Sequence, residues 1–151
     1  LKIGIAWQAT AERRGNPPRT CSIEHFRPIL ECSNVHLFSL QKDIAEDELP
    51  LLADIQNLST ELGDFGDTAA VVMALDLVIT IDSVIAHIAG ALGRPFWVLL
   101  STGSDWRWLI ERQDSPWYPT ARLFRQTRPR QWPDVIDRVI EALKGFRPPA
   151  A

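Results

Sequence analysis

The chain has 151 residues, of which 46% are apolar and 23% are charged, and its formal net charge at pH 7 is −3. That length suits one domain with its own core, and the slightly acidic balance gives no electrostatic reason to expect nucleic acid as a partner. No apolar run approaches the ~20 residues of a membrane-spanning helix, and two cysteines, Cys21 and Cys32, do not make a disulfide framework. We therefore expect a cytoplasmic protein without a membrane span.

Strand and helix signals alternate in the first part of the chain. Short apolar runs predict strands, and polar starts or capping hydroxyls predict helices between them. In chain order these are a strand over residues 2–7, a loop over 8–21, a helix over 22–31 that Ser22 caps, a strand over 35–40, a helix over 43–53 and a strand over 55–58.

The same alternation continues to the end. In chain order it predicts a helix over residues 68–75 with Asp67 as its N-cap, a strand over 77–81, a helix over 84–92, strands over 96–100 and 122–125, and a helix over 134–144 that begins after Pro133. With right-handed crossovers, this alternation predicts an α/β fold with a doubly wound parallel sheet of about six strands. We expect one domain over residues 1–147 and a tail over 148–151.

Four predicted loops follow strands and therefore meet at one edge of such a sheet. They cover residues 8–21, 41–42, 82–83 and 101–108. Open parallel sheets bind ligands beyond the carboxyl ends of their strands, so the sequence predicts a binding site at this edge.

Residues 82–95 carry the strongest signal for chemistry. Asp82 follows an apolar strand, Ser83 stands where the next helix is capped, and His87 falls near the start of that helix. A helix N-terminus offers free N–H groups that suit phosphate, and its dipole favours a neutral His87 that can donate to an anion. The alternatives are a structural histidine on a neighbouring carbonyl and an aspartate that only forms the turn.

The pattern Asp-Ser-x-x-x-His-x-Ala-x-Ala-x-Gly-x-Pro over residues 82–95 resembles glycosyltransferase family 9, which includes the heptosyltransferases of lipopolysaccharide synthesis. More closely, the chain resembles the C-terminal domain that follows tetratricopeptide repeats in some bacterial proteins. Further matching segments cover nearly the whole chain: residues 4–7, Arg19, and residues 38–42, 67–70, 105–108, 114–119 and 123–126. The resemblance implies a Rossmann-like domain, the C-terminal half of a two-domain GT-B glycosyltransferase.

The resemblance also implies which residues meet the donor diphosphate. Thr10 matches hydroxyl residues that contact it, and Arg19 stands where the family commonly has a lysine that neutralises it. Ser83 and His87 match further residues at the diphosphate. Val84 is a departure, because family members often have glycine there, which lets phosphate approach the backbone closely.

For the rest of the donor, the resemblance implies that Asp82 lies near the sugar. Gln41 or Lys42 stands near the acidic position that contacts the ribose, although neither is acidic. Trp106 and Arg107, after the fifth predicted strand, are candidates for a wall or lid over the site.

Other aromatic residues and the acidic run have simpler interpretations. We assign Trp117 and Tyr118 to a satellite core and Trp132 to helix packing. Glu46 and its acidic neighbours are predicted to be a solvated helix start, which suits the helix dipole.

The predicted function is therefore to bind a nucleoside diphosphate sugar for an inverting transfer that needs no metal, since the three histidines lack ligand spacing. We interpret the chain as a piece of a longer protein. The resemblance places the general base and acceptor site in an N-terminal domain, so no catalytic residue is assigned here and the enzyme question stays open. The alternatives are a non-catalytic interaction module beside tetratricopeptide repeats and half of a nucleotide-sugar epimerase.

Overall fold

The computed structural model describes residues 1–9 and 19–149. Within these residues, six parallel strands form one sheet in the order β3-β2-β1-β4-β5-β6. The strands are β1 (Lys2–Ala6), β2 (His36–Ser39), β3 (Gln56–Asn57), β4 (Leu77–Ile81), β5 (Phe96–Leu100) and β6 (Ala121–Arg125). The α-helices are α1 (Arg27–Leu30), α2 (Phe65–Ala74), α3 (Val84–Ala91) and α4 (Pro133–Gly145). The predicted α/β doubly wound sheet is confirmed.

Helices cover both faces of the sheet, and each face has its own apolar core. Ile79 and Ile81 of β4 pack on the side that α1 and α4 cover. Val78, from the same strand, packs on the side of α2 and α3. Every residue of β4 and β5 is buried, as expected for parallel strands between two helical layers.

Residues 43–53 do not form the predicted helix. They contain only a 3-10 turn at Leu49–Leu52. The side-chain amide of Gln41 donates from Nε2 to the carbonyl of Asp43, and the backbone N–H of Glu48 donates to the carbonyl of Ala45. The segment therefore folds as successive turns. Pro50 has no N–H to donate, which also works against a continuous helix.

The start of α2 also differs from the prediction. Asp64, not Asp67, is the N-cap, and its carboxylate accepts from the N–H groups of Gly66 and Asp67. The Asp67 carboxylate accepts in return from the N–H of Asp64 at 3.2 Å. This capping box begins α2 at Phe65, three residues earlier than the prediction.

The remaining boundaries agree within a few residues, and β4 and β5 have the predicted bounds. The predicted helix over 22–31 is divided into a 3-10 turn at Ile23–Phe26 and α1. Cys21 and Cys32 are free thiols. Within residues 1–9 and 19–149, no helix combines the length and the apolar character that crossing a membrane requires.

Candidate functional site

The centre of the sheet creates a crevice between β1 and β4. These strands are neighbours, but the chain continues from β1 to β2 on one side and from β4 to β5 on the other. The loops that leave them at their carboxyl ends therefore turn to opposite faces, and such switch points are where open α/β sheets bind ligands. The predicted binding edge coincides with this crevice.

An ion pair joins the two sides of the crevice. Arg19 comes from the segment after β1, and its Nη1 lies 2.9 Å from Oδ2 of Asp82, which directly follows β4. Asp82 is only 4% exposed and Arg19 is 22% exposed. A carboxylate this deeply buried needs a charged partner, so the pair holds the end of the loop after β1 against β4.

The N-terminus of α3 stands beside this pair. Ser83 occupies the N-cap position, but its side chain does not cap the helix as predicted. Its Oγ lies 2.9 Å from Oγ1 of Thr80 instead, within hydrogen-bond distance. The first N–H groups of a helix generally lack an acceptor inside the helix, although in α3 the N–H of Ala86 donates to the carbonyl of Ser83 at 3.1 Å. Val84, the first residue of α3, is 49% exposed at this point.

His87, the fourth residue of α3, is held by two aromatic side chains. Its Nδ1 lies 2.9 Å from the hydroxyl oxygen of Tyr118, and its ring stacks on Trp108 with the centroids 5.7 Å apart. Burial lowers the pKa of His87, while the negative charges of Asp82 and Asp105 act to raise it. The net effect keeps the imidazole neutral at pH 7, as the sequence analysis expects from the helix position alone.

The segment between β5 and β6 supplies further polar groups at the same edge. Four of its side-chain atoms are buried without a hydrogen-bond partner among the described residues: Oγ of Ser101, Nε of Arg107, Nε1 of Trp108 and, directly before β6, Oγ1 of Thr120. Arg107 pairs with Asp105 at 3.3 Å. Trp106 is 69% exposed and is covered on one side by the guanidinium of Arg107.

The two residues predicted near the ribose are bound to the protein itself. Oε1 of Gln41 accepts from the N–H groups of Trp7 and Gln8 at 3.3 and 3.0 Å, so this buried amide shapes the exit from β1. Nζ of Lys42 donates to the carbonyl of Gly63 at 2.8 Å.

A groove opens on the β2 side of the α3 N-terminus. It has a volume of about 480 Å³, with Leu40, Leu62 and Ile85 among its apolar walls and Asp43 at its polar rim. A smaller cavity of about 160 Å³ shares Val84 and Asp43 with it and reaches Gln8, Gln41 and Ser83. The groove has the size of a small-molecule site. No lining residue of either cavity comes from the β5–β6 segment, so Trp106 is not part of this groove.

The predicted site residues thus divide into groups. Arg19, Asp82, Ser83 and His87 gather at the crevice, and Trp106 and Arg107 lie on the β5 side. Lys42 borders the groove and the smaller cavity, whereas Gln41 borders only the smaller cavity. Thr10 lies outside the described residues. Among residues 1–9 and 19–149, no group of three or more His, Cys, Asp or Glu side chains is arranged to hold a metal ion.

Tyr118, which the sequence predicts in a satellite core, packs against the core on the α2–α3 side, whereas Trp117 is 58% exposed and the prediction is wrong for it. The contact of Tyr118 with His87 was not predicted. One residue of α3 is related to this contact. Gly90 lies one helical turn after His87, on the same face of α3. A glycine inside a helix marks a position where another group can approach closely, and here that group is the ring of Tyr118.

Comparisons with known proteins agree with this fold. No family model matches the chain. It is 27% identical over 154 residues to the protein FlbA of Caulobacter vibrioides, a match that covers 96% of this chain and 25% of FlbA. The structure of the E. coli ADP-heptose lipopolysaccharide heptosyltransferase II is similar, with a TM-score of 0.61, 22% identity, and coverage of 95% of this chain and 45% of that one. The chain therefore has a heptosyltransferase-like Rossmann fold and spans less than half the length of either protein.

Proposed function

We propose that this chain binds the nucleoside diphosphate sugar donor of a GT-B glycosyltransferase. The observation that carries the proposal is the gathering of Arg19, His87 and an uncapped helix N-terminus at the switch point of the sheet. These are cationic or N–H donor groups around one crevice, and a diphosphate is the common ligand that satisfies such a set. The fold likeness to an ADP-heptose heptosyltransferase supports the same ligand class.

In this proposal, different parts of the donor lie at the N-terminus of α3 and in the neighbouring groove. We place the diphosphate over the N-terminus of α3, within reach of Arg19 and Nε2 of His87. The nucleoside then enters the groove of about 480 Å³, where Leu40, Leu62 and Ile85 offer apolar contact to a base. Asp43 borders both cavities and supplies the carboxylate that Gln41 and Lys42 lack, so we assign it to the ribose hydroxyls.

The sugar falls on the other side of the diphosphate, towards Asp82 and the β5–β6 segment. Breaking its bond to phosphate leaves negative charge on the nucleoside diphosphate. Arg19, the α3 N–H groups and a neutral His87 that donates from Nε2 stabilise that charge, and one well-placed donor lowers the barrier by about 3 kcal/mol in favourable cases. We assign deprotonation of the acceptor to a second domain of a longer parent protein, in the cytoplasm, where nucleotide sugars are made.

Calorimetry with ADP, UDP, GDP, CDP and inorganic diphosphate tests the proposal. We expect at least one nucleoside diphosphate to bind, with ADP the first choice because of the structural neighbour. His87→Ala and Arg19→Ala weaken binding roughly tenfold, the loss of about one charge-assisted hydrogen bond. His36→Ala is the matched control, since His36 is exposed at the amino end of β2. Absence of binding by the wild type, or equal binding by all three variants, contradicts the proposal.

A second candidate, a non-catalytic interaction module beside tetratricopeptide repeats, is favoured by one observation. The Val84 side chain lines both cavities at the place where a phosphate would meet the helix. Val84→Gly separates the two candidates. If the site is in use, the variant binds ADP with similar affinity, whereas binding that appears only in the variant indicates a site closed by this side chain.

A further inference from the structure

We infer that Tyr118 is a positioning residue that holds the proton of the His87 imidazole on Nε2. The hydroxyl of Tyr118 lies 2.9 Å from Nδ1 of His87, although the two residues are 31 positions apart in the chain. If the hydroxyl donates, Nδ1 is the acceptor and the single proton of a neutral ring sits on Nε2. This inference rests on the proposed function, because it is Nε2 that would donate to the diphosphate.

The chemistry of the two groups sets the direction of this hydrogen bond. A phenol, with an ordinary pKa of about 10, is a stronger acid than the N–H of a neutral imidazole. The imidazole nitrogen is also a stronger base than the phenol oxygen. For a neutral ring, the favoured arrangement therefore has the Tyr118 hydroxyl donating to Nδ1. The reverse arrangement would turn a lone pair of His87 towards an anionic ligand.

The neutral state of the ring has its own causes. Burial lowers the pKa of His87, and the positive charge of Arg107 adds to that effect. The carboxylates of Asp82 and Asp105 act in the opposite direction, but both have cationic partners: Arg19 for Asp82 and Arg107 for Asp105. The position of His87 near the N-terminus of α3 further disfavours imidazolium.

The packing around Tyr118 is built for this contact. A Cβ at Gly90 would lie 2.4 Å from Cδ1 of Tyr118, so only glycine lets the ring lie against α3. Trp108 stacks on the His87 ring, and Phe96 meets the Tyr118 ring edge-on with centroids 5.8 Å apart. Because glycine inside a helix is unfavourable relative to alanine, Gly90 is explained by the close approach it allows.

Nitrogen NMR of the unliganded chain labelled at histidine tests the inference directly. In the wild type we expect His87 to show a protonated Nε2 and an unprotonated Nδ1 at pH 7.5, whereas His25 and His36 serve as internal references. Tyr118→Phe keeps the ring and removes the hydroxyl, so His87 should become a mixture of tautomers. Gly90→Ala displaces the ring and should give the same mixture. Trp117→Phe, at an exposed neighbouring aromatic, should leave the spectrum unchanged.

Binding of ADP and inorganic diphosphate adds a functional readout. Tyr118→Phe should weaken both roughly threefold to tenfold, the effect of one hydrogen bond. In a His87→Ala background it should cause no further loss, because its effect passes through His87. A wild-type His87 with its proton on Nδ1, or a tautomer that Tyr118→Phe leaves unchanged, overturns the inference. Failure of every nucleoside diphosphate to bind the wild type overturns the proposed function instead, and the ligand-free spectra tell the two failures apart.

Discussion

The sheet has an amino edge, where its parallel strands begin, and a carboxyl edge, where they end, and the two edges carry very different cavities. At the amino edge, a groove of about 740 Å³ lies between the start of β1 and the end of α4, lined by residues such as Leu1, Val35 and Phe146. At the carboxyl edge the cavities are smaller, but Arg19 and the deeply buried Asp82 meet there beside a helix N-terminus. The larger cavity has mostly apolar walls, whereas the buried ion pair lies at the other edge, and neither of its members lines the smaller cavities. The proposed diphosphate site therefore depends on the placement of charges and not on cavity volume.

The largest expected effect concerns the ion pair at the carboxyl edge. Asp82→Ala removes a carboxylate that is 4% exposed and leaves Arg19 without its partner. We expect a loss of about 3 kcal/mol in the free energy of unfolding, measured by urea denaturation, together with loss of ADP binding. Asp114→Ala breaks an exposed pair with Arg112 and is the matched control, for which we expect no measurable change. Equal effects of the two variants would contradict the role given to Asp82.

A substitution at the amino edge should separate stability from binding. Leu143 is 6% exposed and lines the groove of about 740 Å³. Leu143→Ala should cost about 2 kcal/mol of unfolding free energy, since it removes buried apolar volume beside an open groove. The affinity for ADP, measured on the folded variant, should stay within a factor of two of the wild type. A large loss of affinity would show that the two edges are not independent.

Stability should depend on pH through His87. Its pKa in the folded chain lies below the ordinary 6.5, so between these two values the unfolded chain binds more protons than the folded one. The free energy of unfolding should therefore decrease as the pH falls below about 6.5, until the folded pKa is passed. His87→Gln should flatten this slope between pH 7.5 and 5.5 in urea denaturation, whereas His36→Gln should not. An unchanged slope in His87→Gln would contradict the lowered pKa of the half-buried His87.

The smallest expected effect is at Trp106. It is 69% exposed and borders neither cavity on the β2 side. Trp106→Ala should leave both the unfolding free energy and ADP affinity nearly unchanged. A base stacked on this indole would instead make the variant lose affinity by about 1–3 kcal/mol in calorimetry. That result would indicate that the nucleoside binds on the β5 side and not in the groove.

The sequence predicts the sheet well because the decisive signals are local. The apolar runs of β4 and β5 have clear ends, and Asp82 and His87 follow directly in the chain. Partners that come from distant segments were not predictable in this way. Gln41 is a candidate ligand-binding residue in the sequence, but Oε1 of its side chain accepts hydrogen bonds from the backbone N–H groups of Trp7 and Gln8.

The same limit explains the unpredicted contact of Tyr118 and the wrong helix over residues 43–53. The contact between Tyr118 and His87 depends on how the β5–β6 segment packs on α3, which no local pattern specifies. Residues 43–53 have a helix-like acidic start, but hydrogen bonds from Gln41 and Glu48 hold the segment in turns.

Backbone amide NMR during a titration with ADP tests the central claim most directly, because it reports where a nucleoside diphosphate meets the chain. We predict saturable shifts at the amides of Ser83, Val84 and Ile85, while those of Cys32 and Val35 at the amino edge stay in place. Shifts concentrated at the amino edge, or none at millimolar ADP, would contradict a donor site at the N-terminus of α3.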